Sequence, residues 1–141
     1  MSDATANSWE DNLIADLRAN GGRASSGPLA GEALLVLYTT GARTGLPRRA
    51  VLSVTRDGED YVVAGTAGGR PSNPSWFANL QANPTVRFEA DGQTFTGTAT
   101  VAEGADRDRL WGAHVAVLPR FAAYPEQAGR IIPMVRLRPQ A

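Results

Sequence analysis

The chain has 141 residues, a formal net charge of zero, no cysteine and a single histidine, His114. This composition fits one globular domain over residues 1–141 and argues against a broad electrostatic grip on nucleic acid, against thiol chemistry and against a bound zinc ion. The longest apolar run, residues 33–37, is too short to cross a bilayer and no leader pattern precedes it, so we expect a cytoplasmic protein with at most peripheral membrane contact.

The N-terminal half predicts one helix and three strands. Leu13, Ile14 and Leu17 lie at helical spacing after Trp9 and predict an amphipathic helix over residues 8–20. Its apolar stripe suits packing on the rest of the fold, which we favour, but also a position over a pocket mouth or a membrane contact. Strands are predicted over residues 33–40, 48–56 and 61–66, and a glycine-rich loop covers residues 67–72.

The C-terminal half predicts further helices and three more strands. Asn73 and Pro74 favour a helix start, with Asn73 as the N-cap, and the helix runs to Ala82. Strands are predicted over residues 85–90, 93–102 and 131–138, a helix over 106–118 and a broken helical stretch over 121–127. Six short strands joined by hairpin turns, with helical insertions, predict an α+β fold built on a mainly antiparallel barrel.

Several common catalytic motifs are absent from the sequence. It contains no G-x-G-x-x-G, no P-loop and no G-x-S-x-G, which removes the main support for a dinucleotide-binding domain, a nucleotide triphosphatase or a hydrolase. His114 shares helical spacing with Leu110 and Trp111, and we interpret it as a partly buried, hydrogen-bonded side chain rather than a catalytic one.

Two segments have the composition of an anion and ring site. Residues 40–49 (TGARTGLPRR) combine two glycines with three arginines, Arg43, Arg48 and Arg49, which suits phosphate or carboxylate groups, although a solvated hairpin turn is the simpler interpretation. The loop at residues 66–69 leads into a helix carrying Trp76 and Phe77, which either flank a flat ring or belong to the core. The occurrence of these two segments in one small fold favours a flat, anionic cofactor.

The same segments carry a family resemblance. ANGG at residues 19–22, TTGARTGLPRR, TAGGRPSNPSWFANLQANP and the closing IIPMVRLRP resemble the deazaflavin-dependent nitroreductase family over nearly the whole chain. The resemblance implies a split β-barrel that binds coenzyme F-420, an 8-hydroxy-5-deazaflavin with a phosphate and a polyglutamate tail. It also implies hydride transfer to a quinone, a nitroaromatic or an activated double bond. A monomer or weak homodimer is expected.

The resemblance also implies which residues line the cofactor site. It puts a phosphate-contacting turn at Ala42, Arg43 and Thr44, with Arg48 beside it. It puts the remaining cofactor-lining positions at Arg49, Ala50, Val51, Leu52, Ser53, Ala64, Gly65, Thr66, Ala67, Gly68, Ser75, Trp76, Phe77, Ala78, Asn79 and Phe121. Tyr124 is the expected proton donor to the acceptor, with solvent as the alternative, and no metal is expected.

Two positions depart from the family pattern. Relatives commonly carry lysine where this chain has Ala67, and tyrosine where it has Phe121, although Arg70 lies close enough in sequence to serve the same anion. These changes keep two alternatives open: a barrel that binds a deazaflavin or apolar ligand without catalysis, and an FMN-dependent reductase on the same fold.

Overall fold

The computed structural model describes residues 8–140, which form seven strands and four α-helices. The helices are α1 (Ser8–Ala19), α2 (Ser75–Ala82), α3 (Gly104–Val117) and α4 (Tyr124–Ala128). The strands are β1 (Leu34–Thr40), β2 (Pro47–Ser53), β3 (Thr55–Asp57), β4 (Asp60–Ala64), β5 (Thr85–Ala90), β6 (Gln93–Val101) and β7 (Met134–Pro139). Two short 3₁₀ turns cover Ala67–Gly69 and Pro119–Ala123.

The strands form one antiparallel sheet in the order β2-β1-β5-β6-β7-β4-β3. β2 and β3 are consecutive in the chain but lie at opposite ends of this order. The chain therefore crosses from one edge of the sheet to the other at Val54, and β2 approaches β4. This crossing curls the sheet into a half-barrel.

The strand count is where the sequence prediction of the fold was wrong. Residues 48–56 were predicted as one strand, but β2 pairs with β1 and β3 pairs with β4, with the break at Val54. The α+β class, the antiparallel barrel and the approximate positions of the other elements are confirmed. The predicted Asp91-Gly92 hairpin is also present, with positive φ at both residues, as a type I′ turn requires.

The inside of the half-barrel is apolar because alternate residues of each strand face it. Leu35, Leu37, Val63 and Val135 belong to this core, and α2 inserts Trp76, Phe77 and Leu80 into it. Their burial is nearly complete, so α2 is held firmly against the strands that surround it. The turn at Ala42 is positioned by α2 as well, through a hydrogen bond to Asn79.

Helices cover two stretches of the outer surface of the sheet. Ile14 and Leu17 of α1 pack with Leu34 and Val36 of β1. Of the three positions considered for this helix, packing on the barrel is the one observed. On the opposite side, Leu110 of α3 and residues of the second 3₁₀ turn cover the outer faces of β4 and β7. Within residues 8–140, no helix is long and apolar enough to cross a membrane.

Candidate active site

A cleft of about 260 Å³ lies where the ends of β2 and β4 meet the second 3₁₀ turn and α4. Its walls are formed by Val51, Leu52, Ser53, Ala64, Thr66, Ala67, Gly68, Trp76, Arg120, Phe121 and Tyr124. Ten of these eleven residues were predicted as site residues from the sequence, from segments up to 73 positions apart. Arg120 is the one that sequence reasoning missed.

A polar groove continues from the cleft. It has a volume of about 560 Å³ and is lined by Ala67, Gly68, Arg70, Ser72, Asn73, Pro74 and Ser75. The two spaces share Ala67 and Gly68, so they meet at the glycine-rich loop. Together they join a cleft that includes aliphatic and aromatic side chains to a groove with mainly polar side chains, an arrangement that suits a flat ring carrying a charged tail.

The conformation of the loop at this junction depends on positive φ angles. Ala67 has φ of 49° and Gly68 has φ of 65°, and a Cβ added at Gly68 would meet nothing within 4 Å. Ala67 is one of only two non-glycine residues with positive φ among residues 8–140, a conformation that is costly for alanine. The open space beside Gly68 allows a ligand to approach the backbone closely.

Asn79 links α2 to the predicted phosphate-contacting turn. Its Oδ1 accepts a hydrogen bond from the backbone N–H of Ala42 at 2.9 Å, and its Nδ2 donates to the Thr39 hydroxyl at 3.2 Å. The Thr44 hydroxyl accepts from the N–H of Leu46 and closes the turn. Asn79 is buried, so its side chain holds the turn beside α2, and the N–H of Ala42 is already occupied.

The structure separates the arginines that pair with carboxylates from those that do not, a distinction that the number of charges in the sequence cannot show. Within residues 8–140, eight of the fourteen form ion pairs with carboxylates: Arg18, Arg49, Arg56, Arg107, Arg109, Arg120, Arg136 and Arg138. Three of the other six, Arg43, Arg48 and Arg70, are exposed and belong to the predicted turn or to the groove. An unpaired guanidinium is available to an incoming phosphate or carboxylate.

The guanidinium of Arg49, by contrast, is engaged by α1. Its Nε donates to Glu10 at 2.6 Å and an Nη donates to Asp11 at 2.5 Å. Nine more predicted residues also line neither the cleft nor the groove: five belong to the predicted turn or its support, namely Ala42, Arg43, Thr44, Arg48 and Asn79, and four lie elsewhere. Ala50 and Phe77 pack in the barrel core, Ala78 is exposed on α2, and Gly65 is buried, with its N–H donating to the Pro133 carbonyl.

Arg120 closes one side of the cleft through an ion pair. It donates two hydrogen bonds of 2.8 Å to the two oxygens of Glu32 and a third, of 3.1 Å, to the hydroxyl of Ser53. Ser53 in turn donates to Glu32 at 2.6 Å. Burial alone would raise the pKa of Glu32, but the hydrogen bonds from Arg120 and Ser53 outweigh it and hold that pKa below its ordinary value. The segment that carries Phe121 is thereby tied to the end of β2.

Phe121 and Tyr124 continue an aromatic row that starts at His114. The ring of Phe121 meets the rings of His114 and Tyr124 edge-on, at centroid distances of 4.9 and 5.1 Å. His114 Nδ1 lies 2.7 Å from the Thr55 hydroxyl, while its buried Nε2 has no partner among the described residues. His114 is therefore fully rather than partly buried, and the predicted hydrogen bonding is present at Nδ1. Burial, and secondarily the charge of Arg120, lowers the pKa of His114 to about 4.

The predicted N-cap of α2 is also different in the structure. Pro74, not Asn73, holds the capping position, and no side chain caps the helix. The Oδ1 of Asn73 instead accepts a hydrogen bond of 2.7 Å from Arg130. Arg130 was not singled out from the sequence, because a lone arginine in a short loop carries no local signal.

Two other cavities do not suit a flat anionic ligand. One of about 980 Å³ lies beside the β3–β4 turn, where Asp57 and Asp60 pair with Arg136 and Arg138. Hydrogen bonds from Arg109 and Arg136 hold the pKa of Asp57 well below its ordinary value, which marks a charge-neutralised network rather than an empty anion site. A cavity of about 120 Å³ beneath α1 is too small for a cofactor ring.

Known proteins resemble this chain both in sequence and in structure. A family model described as F-420H(2)-dependent quinone reductase matches residues 11–139. One F-420H(2)-dependent quinone reductase of Mycobacterium tuberculosis is 38% identical over 106 residues, which cover 73% of this chain and 71% of that protein. A solved F-420-H2-dependent reductase, FDR-A, is 31% identical, with a TM-score of 0.68 over 74% of this chain and 93% of that one.

A further solved structure, described as a domain-swapped dimer, is 27% identical, with a TM-score of 0.71 over 94% of this chain and 99% of that one. The extent of the family match and the identity to the mycobacterial reductase lead to one conclusion. The chain belongs to the F-420H(2)-dependent quinone reductase family.

Proposed function

We propose that this chain reduces a small hydrophobic acceptor, a quinone in the first instance, with hydride from reduced coenzyme F-420. The observation that carries the proposal is the junction, at Ala67 and Gly68, of a cleft walled in part by Val51, Leu52 and Trp76 with a groove lined by Arg70, Ser72 and Asn73. The deazaflavin supplies the hydride when bound, because no side chain can do so. The proposal takes residues 1–141 as one domain that holds the whole site.

The residues of the cleft and the groove fit the two halves of the cofactor. Val51, Leu52 and Trp76 would form apolar walls for a flat ring, and the backbone around Ala67 would hold its polar edge. Arg43, Arg48 and Arg70 have the charge and the geometry to hold the phosphate and the carboxylates of the tail. The ion pairs of Arg49 with α1 favour a supporting role for that side chain rather than contact with the cofactor.

The task of the protein in the reaction is to orient the partners and exclude water. Phe121 and Tyr124 form part of the wall of the cleft. Reduction of a quinone to a hydroquinone consumes one hydride and one proton. We assign the proton to the Tyr124 hydroxyl, or to solvent reaching the cleft, since Phe121 has no proton to give. A nitroaromatic or an activated C=C compound is an alternative acceptor.

The assembly and location of the chain belong to the same proposal. We propose a monomer or weak homodimer, because residues 8–140 build the cleft from one chain; the relative described as a domain-swapped dimer makes a swapped form the main alternative. We propose a cytoplasmic location with at most peripheral membrane contact. Light scattering over a range of concentrations and cell fractionation test these statements.

A parallel titration tests the function. We expect purified chain to bind F-420 in the micromolar range or tighter, to bind FMN much more weakly, and to oxidise reduced F-420 when menadione is added. Ala67→Lys restores the residue that relatives carry, and should tighten F-420 binding by adding a cation beside the groove. Ala78→Lys is the matched control, because Ala78 is exposed on α2 and lines neither space.

Each alternative predicts a different result in these assays. Binding of F-420 without oxidation by quinones, nitro compounds or enones would identify a non-catalytic binder. Preference for FMN, with flavin absorbance on purification, would identify a flavin enzyme. No binding of either cofactor at high concentration would contradict the proposal altogether.

A further inference from the structure

Arg130 makes more hydrogen bonds to the glycine-rich loop than any other side chain described. Its guanidinium donates to the backbone carbonyls of Gly65, Thr66, Arg70 and Ser72 at distances of 3.1, 3.1, 3.2 and 3.0 Å. It also donates to Asn73 Oδ1 at 2.7 Å. The five acceptors belong to the nine consecutive residues 65–73, which form the loop where the cleft meets the groove.

The hydrogen bonds from Arg130 to these carbonyls also fix the direction of the N–H groups in the same peptide units. In a trans peptide, the C=O of one residue and the N–H of the next point in opposite directions, and no cis peptide is present in the described residues. When the carbonyls of Gly65, Thr66 and Ser72 turn toward Arg130, the N–H groups of Thr66, Ala67 and Asn73 turn away from it. These three N–H groups find no acceptor within residues 8–140.

The freed N–H groups belong to residues that line the site. Thr66 and Ala67 line the cleft, and Ala67 and Asn73 line the groove. Backbone N–H groups that lack acceptors and lie beside a cavity suit an anion. Arg130 has no carboxylate partner within the described residues, so its positive charge is not cancelled and adds to the potential at the loop.

We propose that Arg130 is a positioning residue for the cofactor site, which draws the loop carbonyls inward so that the N–H groups of Thr66, Ala67 and Asn73 are presented to the anionic parts of the ligand. This inference rests on the proposed function and goes beyond it, because Arg130 lines neither the cleft nor the groove. Its effect reaches the ligand through the orientation of three peptide groups and through its charge.

Substitutions at Arg130 test the inference against a matched arginine. Arg130→Met removes all five hydrogen bonds, and Arg130→Lys keeps the charge without the planar fork that spans several acceptors. Arg107→Met is the control, since Arg107 also donates to a backbone carbonyl, that of Ile132, but does not touch the loop. We expect the Kd for F-420 to rise about tenfold or more in Arg130→Met, less in Arg130→Lys, and to stay within about threefold in Arg107→Met.

A second readout does not depend on the cofactor. The amide ¹H and ¹⁵N resonances of Thr66, Ala67 and Asn73 should move in both Arg130 variants without ligand, and stay unchanged in Arg107→Met. If Arg130→Met does not fold, the same affinities and amide resonances are compared in Arg130→Lys and Asn73→Ala. Asn73→Ala removes only the side-chain acceptor of Arg130. Unchanged F-420 affinity and unchanged amide resonances in a folded Arg130 variant would overturn the inference. A wild-type chain that binds no F-420 would instead count against the proposed function, and the amide shifts would then decide the role of Arg130.

Discussion

His114 is fully buried, and its Nε2 has no partner among the described residues, so the neutral imidazole is the form that the fold accepts. Its pKa is lowered from 6.5 to about 4 by burial and then by the charge of Arg120. Between these two values the unfolded chain binds a proton that the folded chain does not. The stability that depends on His114 is therefore complete above about pH 6.5 and is lost as the pH falls toward 4.

We expect acidification from pH 7 to pH 4 to lower the free energy of unfolding by about 3 kcal/mol through this residue, at about 1.4 kcal/mol per unit of pKa shift. His114→Asn keeps a polar group near Nδ1 but does not titrate, so its stability should depend less on pH over this range. Urea denaturation at several pH values measures the difference. The comparison is clean because the chain has no other histidine and both proteins share the same carboxylates. Parallel pH profiles would contradict the assignment.

At the residue scale, the sequence predicted the cleft lining well and the supporting contacts poorly. The residues from Val51 to Ser53 and from Thr66 to Gly68 were assigned by family resemblance, and they do line one cleft. Arg120 and Arg130 were missed because their partners lie 57 or more positions away along the chain, as with Glu32 and Gly65. Long-range partners leave no local pattern in a single sequence.

At the scale of elements, α1 shows how one helix divides into a buried and an exposed face. Leu17 is 4% exposed against β1, whereas Trp9 is 65% exposed. We expect Leu17→Ala to lower the free energy of unfolding by about 2–4 kcal/mol, because it removes buried methyl groups and leaves a cavity. Trp9→Ala should change stability by no more than about 0.5 kcal/mol. Equal losses in urea denaturation of the two variants would show that the end of α1 is also anchored by Trp9.

The break between β2 and β3 marks what periodicity cannot show. Residues 48–56 read as a single strand because neither glycine nor proline interrupts them, and the change of partner at Val54 depends on the curl of the whole sheet. The N-terminus of α2 was mispredicted for a related reason. Asn73 has the local chemistry of a cap, but its hydrogen bond to Arg130 holds it outside the capping position.

At the scale of the whole molecule, the barrel follows from alternation and hairpin turns, both of which are visible in the sequence. The distribution of charge is not visible there. A net charge of zero conceals eight arginines paired with carboxylates and three exposed ones, Arg43, Arg48 and Arg70, that have no such partner in the described part of the chain and lie at the turn and groove. Association with an anionic ligand should therefore depend on these three positions rather than on the total charge.

Salt should reveal that local charge. Because the screening length falls from about 30 Å at 0.01 M salt to about 3 Å at 1 M, we expect the Kd for F-420 to rise about tenfold across this range. Replacing Arg43, Arg48 and Arg70 by glutamine should raise the Kd at low salt and flatten its salt dependence. Replacing Arg18, Arg56 and Arg109 removes the same charge from ion-paired, exposed positions, and should leave the slope close to that of the wild type. Equal slopes in the two triple variants would mean that the cofactor is attracted by the total charge of the molecule, rather than by the arginines at the turn and the groove.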